Sequence, residues 1–465
     1  MFRKIKIVAT LGPASDSEQM ITKLAKTGVN VFRINFSHSN NEKVKDYISK
    51  VQNVRRKLNL PISIMVDTRG PEVRVKSFEG GKVYLKKGDN FSLVSYEVVG
   101  NSDKVTITQK ICVDDAKVGG VVLANDGRLK LIIKEKKKDE LVCKVCTSGE
   151  LKDNKSLSFA GQHFDFEYLN DKDKENLETA LTMGVEYISA SFVNTKQDLD
   201  VLKEFAYRFD KNVGIISKIE NKTGIENLDE ILQNCEGVMV ARGDLGVETK
   251  FERLPIYQRK IINAAHKYSK ICIVATEMLE SMITSIRPTR AEISDVAKAV
   301  YDGAGAVMLS GESAVGCDPV GCVKTMSLIV TETEKEFHYQ RHFEGLIKDP
   351  KTSNELVIQS AINAAFYLNC KAIVSYTSKG SNALKLSSNF SKAPIVAIAD
   401  SEKTYNTLAM MCNVIPVLSQ KEDDIFAQAS RICKEKKLAK SGDVIIVTTG
   451  TTDSISNVLK FEEIK

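Results

Sequence analysis

Eight short apolar runs, each followed by a stretch with helical spacing, constrain this chain more than any other feature. They begin at positions 4, 29, 62, 187, 213, 237, 271 and 306. Apolar runs bounded by turn signals predict fully buried strands. The stretches after them predict helices: Ser17–Thr27, Lys43–Leu58, Asp171–Met183, Thr195–Arg208, Gly224–Gln233, one after Pro255, Arg290–Tyr301 and Pro319–Phe337. Strands separated by helices imply parallel βαβ units. Eight of them make the count of an α/β protein of the closed (β/α)8 TIM barrel type. An open, doubly wound sheet is the alternative, and it rarely uses eight such regular units.

The barrel pattern occupies residues 1–71 and 163–343. Between 72 and 162 its character changes, with turn signals at Gly80-Gly81, Lys87-Gly88-Asp89, Gly119-Gly120 and Asn125-Asp126-Gly127. Alternating runs between such turns predict a small all-β lid domain of hairpins inserted after the third strand. Glu344–Ser353 reads as a polar linker, and a C-terminal α/β domain follows over 344–465, with strands at Ala372–Tyr376, Pro394–Ala399, Val414–Val417 and Val444–Thr448.

With 465 residues, 43% hydrophobic and 27% charged, the chain is long and apolar enough for two or three ordinary domains. Its net charge of +6 is small and spread along the sequence, which argues against nucleic acid as a partner. No apolar segment is long enough for a membrane span or a signal peptide. Ten cysteines are scattered, and Cys143/Cys146 is the only CxxC pair. Reduced thiols in a cytoplasmic protein account for them better than a zinc site.

Charge gathers at the C-terminal ends of the strands, where a barrel of this type builds its active site. Ile215-Ile216-Ser217 runs into Lys218 and Glu220, which alternate and so face one way. Gly237–Val240 runs into Arg242, Gly243 and Asp244; Arg242 and Asp244 share a side if the strand geometry continues. The second strand ends in Arg33, Asn35 and Ser37, the third in Asp67 and Thr68, the seventh in Thr276 and Glu277, and the eighth in Ser310, Gly311 and Glu312. Cations, carboxylates and hydroxyls without a nucleophile–base pair suit phosphoryl transfer, which needs positioning and charge neutralisation. The carboxylates beside a lysine suit a divalent cation and an anionic substrate.

Eight motifs in order carry a resemblance that covers nearly the whole chain: KIVATLGPAS from Lys6, NVFRINFSH from Asn30, DTRGPEVR from Asp67, SKIEN from Ser217, VARGDLGVE from Val240, ATEMLESM from Ala275, RPTRAE from Arg287 and MLSGES from Met308. The chain resembles the pyruvate kinase family. That resemblance implies transfer of the phosphoryl group of phosphoenolpyruvate to ADP, giving pyruvate and ATP at the last step of glycolysis. It implies that Glu220 and Asp244 bind Mg2+ or Mn2+. It implies that Arg33 and Lys218 hold the phosphate, that Lys218, Arg33 and Thr276 are catalytic, and that Gly243, Asp244 and Thr276 hold the substrate carboxylate. Asn35, Ser37, Asp67 and Thr68 resemble ligands of K+, and Glu72 stands where a carboxylate accompanies potassium dependence. Asn35, His38, Arg74 and the lid residue Lys155 resemble the nucleotide site, with lid hinges at Gly70-Pro71 and Gly161. The resemblance further implies a homotetramer and a phosphorylated allosteric effector in the C-terminal domain, at Thr377–Ser381. The sequence departs from the family at Leu157–Gly161, at Glu277 and at Gly450-Thr451-Thr452-Asp453. Two rival readings use the same residues. A lyase-type enolate barrel would need neither Arg74, Lys155 nor a lid, and an RNA-binding scaffold would need none of Lys218, Glu220 and Asp244.

Overall fold

The computed structural model describes residues 2–125, 127–162, 164–339, 350, 352–449 and 458–465. Lys6–Thr10, Val31–Asn35, Ser63–Asp67, Tyr187–Ala190, Gly214–Ile219, Gly237–Ala241, Ile271–Ala275 and Ala306–Leu309 close into one barrel in chain order. Every neighbouring pair is parallel, and the eighth strand closes on the first through Lys6–Ala306 to Ala9–Leu309.

Alternation along each strand decides what fills the barrel. Val8, Val31, Met65, Tyr187, Ile216, Met239, Ile273 and Met308 form an apolar layer inside it. Two residues further along the same strands stand Thr10, Arg33, Asp67, Ser189 and Lys218. The interior therefore changes from apolar to polar toward the C-terminal ends. The opposite strand faces pack Ile7, Phe32, Ile64, Ile188 and Ile215 against the surrounding helices.

Local signals set the helix ends. Ser17 accepts from the Met20 amide to start Glu18–Thr27, and Gly28 closes it. Thr289 and Glu292 form a reciprocal capping box at Arg290–Asp302, and Glu292 also holds Ser281. Part of the RPTRAE motif is thus a helix start that fixes the loop after the seventh strand. The expected helix Gly224–Gln233 is two short ones, Lys222–Glu226 and Leu228–Gln233, broken at Asn227. The strand geometry does not continue past Ala241, because Arg242 opens a helix, Arg242–Glu248. Arg242 and Asp244 consequently do not share a side.

The inserted segment holds a six-stranded sheet, in the order Leu157–Ala160, Val121–Ala124, Leu129–Lys137, Glu140–Val145, Asn90–Val94 and Lys104–Thr106, and a two-stranded sheet of Lys82–Leu85 with Gly149–Lys152. It is not purely hairpins or purely β. Asn90–Val94 and Lys104–Thr106 run parallel, and Lys110–Asp115 is a helix. The C-terminal part carries four parallel strands, Ile373–Tyr376, Ile395–Ala399, Val414–Leu418 and Val444–Thr449, with an antiparallel edge strand Val458–Glu463. The expected linker Glu344–Ser353 and the departure at Gly450–Asp453 lie outside the described residues, except for 350, 352 and Ser353, where a helix begins.

This C-terminal part seats on the barrel's floor. Met410 joins the apolar layer inside the barrel. The Tyr187 hydroxyl donates to the Thr407 carbonyl at 2.9 Å, Lys6 Nζ to the Val414 carbonyl at 2.8 Å and Ser63 Oγ to the Asn406 carbonyl at 2.5 Å.

Candidate active site

Four of the expected residues meet at the barrel mouth in one ion-paired cluster. Arg33 pairs with Asp67 Oδ2 and donates to Thr10 Oγ1 at 3.1 Å. Lys218 Nζ lies 2.8 Å from Glu220 Oε1 and 3.6 Å from Asp67 Oδ1. Strand alternation places all of these inward, as expected for Lys218 and Glu220. Asp244, from the first turn of its helix, closes on Glu220. It opens to a cavity of about 130 Å3 between lid and barrel that is also lined by Glu72, Phe192, Asn221 and Ser158.

The charges set one another. Burial works against the Lys218 ammonium, but Asp67 and Glu220 more than offset it and raise its pKa. Burial alone would raise Asp67, yet Arg33 and Lys218 hold it below the usual carboxylate range. Burial pushes Glu220 up to about 7, with Lys218 opposing and Asp244 adding to the rise. Asp244 is likewise raised, first by burial and against the pull of Lys218.

Thr276 and Glu277 both adopt left-handed backbone, with φ of 66° and 52°. Two such residues in succession are strained, and surrounding contacts must hold them. Arg242 does so: its guanidinium reaches the Thr276 carbonyl at 2.5 Å, the Ala275 carbonyl at 3.1 Å and Asp295 at 2.5 Å. The Gly243 amide donates to Thr276 Oγ1 at 2.8 Å. Gly243 and Thr276 are thus brought together, and Arg242 braces them from behind.

The second strand ends at Asn35, and Phe36–His38 is a 3-10 turn capped by Asn35 Oδ1, which accepts from the Ser37 amide at 2.9 Å. Ser37 therefore leaves the strand's alternation, and both it and His38 are exposed. Arg74 and Lys155 sit on adjoining segments at the root of the lid, where the Val75 amide donates to the Lys155 carbonyl at 2.9 Å. Arg74 is paired with Glu72 at 2.6 Å and donates to the Asn154 carbonyl; Lys155 is exposed. Among the described residues no ion pair joins His38, Arg74 or Lys155 to the ion-paired cluster, though Glu72, the partner of Arg74, lines the same cavity as Asp244.

The fourth strand contributes a contact set that sequence reading missed. Ser191 Oγ accepts from Lys218 Nζ at 2.8 Å, and the Phe192 amide donates to Glu220 Oε2 at 2.6 Å. Tyr187, Ser189 and Ser191 alternate inward, so the signal was present, but it carried no charge to mark it. Thr10 on the first strand was missed for the same reason.

Among the described residues no group of three or more His, Cys, Asp or Glu side chains forms a metal cage. Glu220 and Asp244 offer two carboxylates, which fits a divalent ion that takes its remaining oxygens from substrate and water. Asp67 Oδ1 is buried without a hydrogen-bond donor and is an oxygen of the kind a hard monovalent ion takes, whereas Asn35 Oδ1 already accepts from the Ser37 amide and Ser37 is exposed.

Comparison with known proteins agrees with this layout. The family model for the pyruvate kinase barrel domain matches residues 2–323, and that for the pyruvate kinase alpha/beta domain matches 355–460. The chain is 38% identical to pyruvate kinase of Staphylococcus saprophyticus over 96% of its own length and 78% of that protein's. It is 36% identical to pyruvate kinase of Clostridium perfringens over 99% and 100%. A crystal structure of a pyruvate kinase from Cryptosporidium parvum superposes with a TM-score of 0.95 at 31% identity, covering 100% of this chain and 96% of that one. An eight-stranded barrel with a charged mouth, an inserted lid and a C-terminal α/β sheet, matched along its length by these proteins, means that the chain belongs to the pyruvate kinase family.

Proposed function

We propose that the ion-paired cluster at the barrel mouth carries the phosphoryl transfer from phosphoenolpyruvate to ADP that is this enzyme's reaction. The observation that carries this reading is the convergence on Lys218 of Glu220, Asp67 and Ser191, at 2.8, 3.6 and 2.8 Å. A lysine held charged by buried carboxylates is placed to stabilise a transferring anion. Arg33 supplies a second cation for the same phosphate. The Gly243 amide and the Thr276 hydroxyl, now bonded to each other, exchange that contact for the substrate carboxylate. Glu220 and Asp244 would hold Mg2+ or Mn2+, which when bound supplies positive charge to the enolate and phosphate oxygens. Asn35, Ser37, Asp67 and Thr68 would hold K+. Arg74, Lys155, His38 and Asn35 face the nucleotide, and the lid excludes water from the transfer.

Lys218→Met tests this assignment. ATP formation falls by roughly 10³-fold or more, while the metal-dependent exchange of pyruvate methyl protons with solvent survives. Equal loss of both activities would sink the assignment of Lys218 to the phosphoryl group.

The segments 1–71 with 163–343, 72–162 and 344–465 are read as catalytic, lid and regulatory domains. At Thr377–Ser381 the Gly380 amide is taken by Thr377 Oγ1 at 2.8 Å, while Ser378 Oγ and Ser381 Oγ are buried without partners. The loop borders a cavity of about 510 Å3 against the barrel floor, with Lys211, Lys270, Lys379, Lys385 and Lys403 around it. That setting supports a phosphorylated effector. Lys379→Glu should abolish activation by sugar phosphates or AMP and spare the unactivated rate; an unchanged response removes the loop from regulation. All ten cysteines are unpaired, which supports a reducing, cytoplasmic setting. No helix of the described residues is long and apolar enough to cross a membrane. A homotetramer is the assembly read from the family, to be checked by light scattering.

A further inference from the structure

We infer that Ser191, at the end of the fourth barrel strand, is a positioning residue that fixes the ammonium of Lys218 for phosphoryl transfer. The inference rests on the reading that Lys218 acts on the phosphoryl group. Ser191 is almost fully buried, at 1% exposure. Its hydroxyl donates to the Thr68 carbonyl at 2.6 Å and accepts from Lys218 Nζ at 2.8 Å. A hydroxyl has one hydrogen, and here Thr68 takes it. What Ser191 turns toward Lys218 is therefore a lone pair in a fixed direction.

The main chain that carries this hydroxyl is itself held on both sides. The Ser191 amide donates to Thr68 Oγ1 at 3.0 Å, and its carbonyl accepts from the Tyr168 hydroxyl at 2.9 Å. The next residue, Phe192, is left-handed with φ 55° and gives its amide to Glu220 Oε2. One dipeptide thus touches the proposed potassium ligand Thr68, the phosphoryl lysine and the proposed metal ligand Glu220.

Carboxylates keep Lys218 charged, but they also compete for it. Glu220 lies as close to Nζ as Ser191 does. Without a neutral acceptor on the other side, the ammonium collapses onto its carboxylates and points away from an incoming phosphate. Charge is retained; direction is lost.

Ser191→Ala removes the hydroxyl and leaves the main-chain contacts to Thr68, Tyr168 and Glu220 in place. The expected result is a kcat for ATP formation lower by roughly 10- to 100-fold, the range of one misplaced charge-assisted bond in a closed site. The KM for phosphoenolpyruvate should stay within about threefold, and pyruvate proton exchange within about twofold, because those rest on the carboxylates and the Gly243–Thr276 turn. Ser191→Thr, which keeps the acceptor, should restore kcat to within about fivefold. In a Lys218→Met background Ser191→Ala should cost nothing further, since it acts through that lysine. A Ser191→Ala kcat within twofold of the unaltered enzyme would overturn the proposal. So would a parallel loss of transfer, exchange and thermal stability that Thr does not rescue, or a full additional loss in the Lys218→Met background. If Lys218→Met itself keeps ATP formation, the underlying role of Lys218 fails and this proposal with it. If Lys218→Met fails and Ser191→Ala is normal, only the role of Ser191 falls.

Discussion

Glu220 shows how finely a single carboxyl can be balanced. Burial raises it, Lys218 opposes, Asp244 adds to the rise, and the outcome is a group that titrates at about 7. If the Glu220–Asp244 pair holds the divalent ion as proposed, that ion must displace a proton from it, so protons and metal compete. Because the carboxyl is raised, Mn2+ affinity should be full above about pH 7 and fall as pH drops through it, by up to roughly tenfold per unit. Titration of Mn2+ by electron paramagnetic resonance at several pH values checks this; a flat affinity between pH 5.5 and 8 would refute it. Asp244→Asn should weaken Mn2+ binding strongly while leaving the fold intact. In the proposed site Glu72 is the residue to test for potassium dependence. It is already paired with Arg74, so Glu72→Lys should reduce the KCl needed for activity and also raise the KM for ADP, by setting an ammonium beside the cation proposed to bind the nucleotide. Rates against KCl at constant ionic strength decide it, and an active variant with the same potassium curve would reject it. These residues were legible to different degrees. Lys218 and Glu220 stood out because charge at alternate positions follows an apolar run. Asp244 was legible as a strand-end carboxylate, but its direction was not, because helix formation at Arg242 turns the chain. Ser37 was misdirected by the same kind of turn. Thr276 was legible as a strand-end hydroxyl but its left-handed backbone was not, and Ser191 carried nothing in its residue type to distinguish it.

The lid's attachment is the element whose geometry is most tightly specified. Gly70 is left-handed, with φ 69°, and a Cβ there would meet the Ser191 carbonyl oxygen at 3.0 Å and the Phe192 ring at 3.1 Å. The amides of Arg69 and Gly70 donate to Asp173 at 3.1 and 2.9 Å, so the start of the helix Asp171–Thr182 anchors the hinge. Gly70→Ala should cost about 1–2 kcal/mol from backbone conformation alone, with more from contact, and should push the Ser191–Phe192 turn off Lys218 and Glu220. Urea unfolding and steady-state kinetics together test this. A variant with unchanged stability and kcat would show the hinge to be slack. At this scale the sequence was most readable where burial is two-sided: the eight barrel strands and their helices follow from apolar runs and caps. It was least readable where elements are exposed or short. The edge strand Val458–Glu463 is largely solvent-facing and carries no clean alternation, and Lys110–Asp115 is a helix of six residues.

The whole molecule is joined at a place that no motif marks. Sequence reading separates the C-terminal domain by a linker, yet its Leu408–Val414 segment closes the barrel from below. Met410 lies in one layer with Val8, Ile216, Met239 and Met308, fully buried. Nothing in Leu408-Ala409-Met410-Met411 distinguishes a side chain that fills another domain's barrel from one in its own core, since periodicity reports burial and not the partner. The arrangement has a thermodynamic consequence. Neither part hides its apolar surface without the other, so the barrel and the C-terminal sheet should unfold as one cooperative unit. Met410→Ala leaves a cavity at this junction while Tyr187, Ser63 and Lys6 keep their bonds to main-chain carbonyls. The expected cost is about 2–5 kcal/mol, and the loss falls on the contact between the parts more than on either alone. Scanning calorimetry should therefore show one endotherm for the unaltered chain and a broadened or split one for the variant. Two resolved transitions in the unaltered chain would break the argument at its base, because the floor contact would then not couple the parts. A single, unshifted endotherm in Met410→Ala would show that the barrel floor refills around the missing side chain.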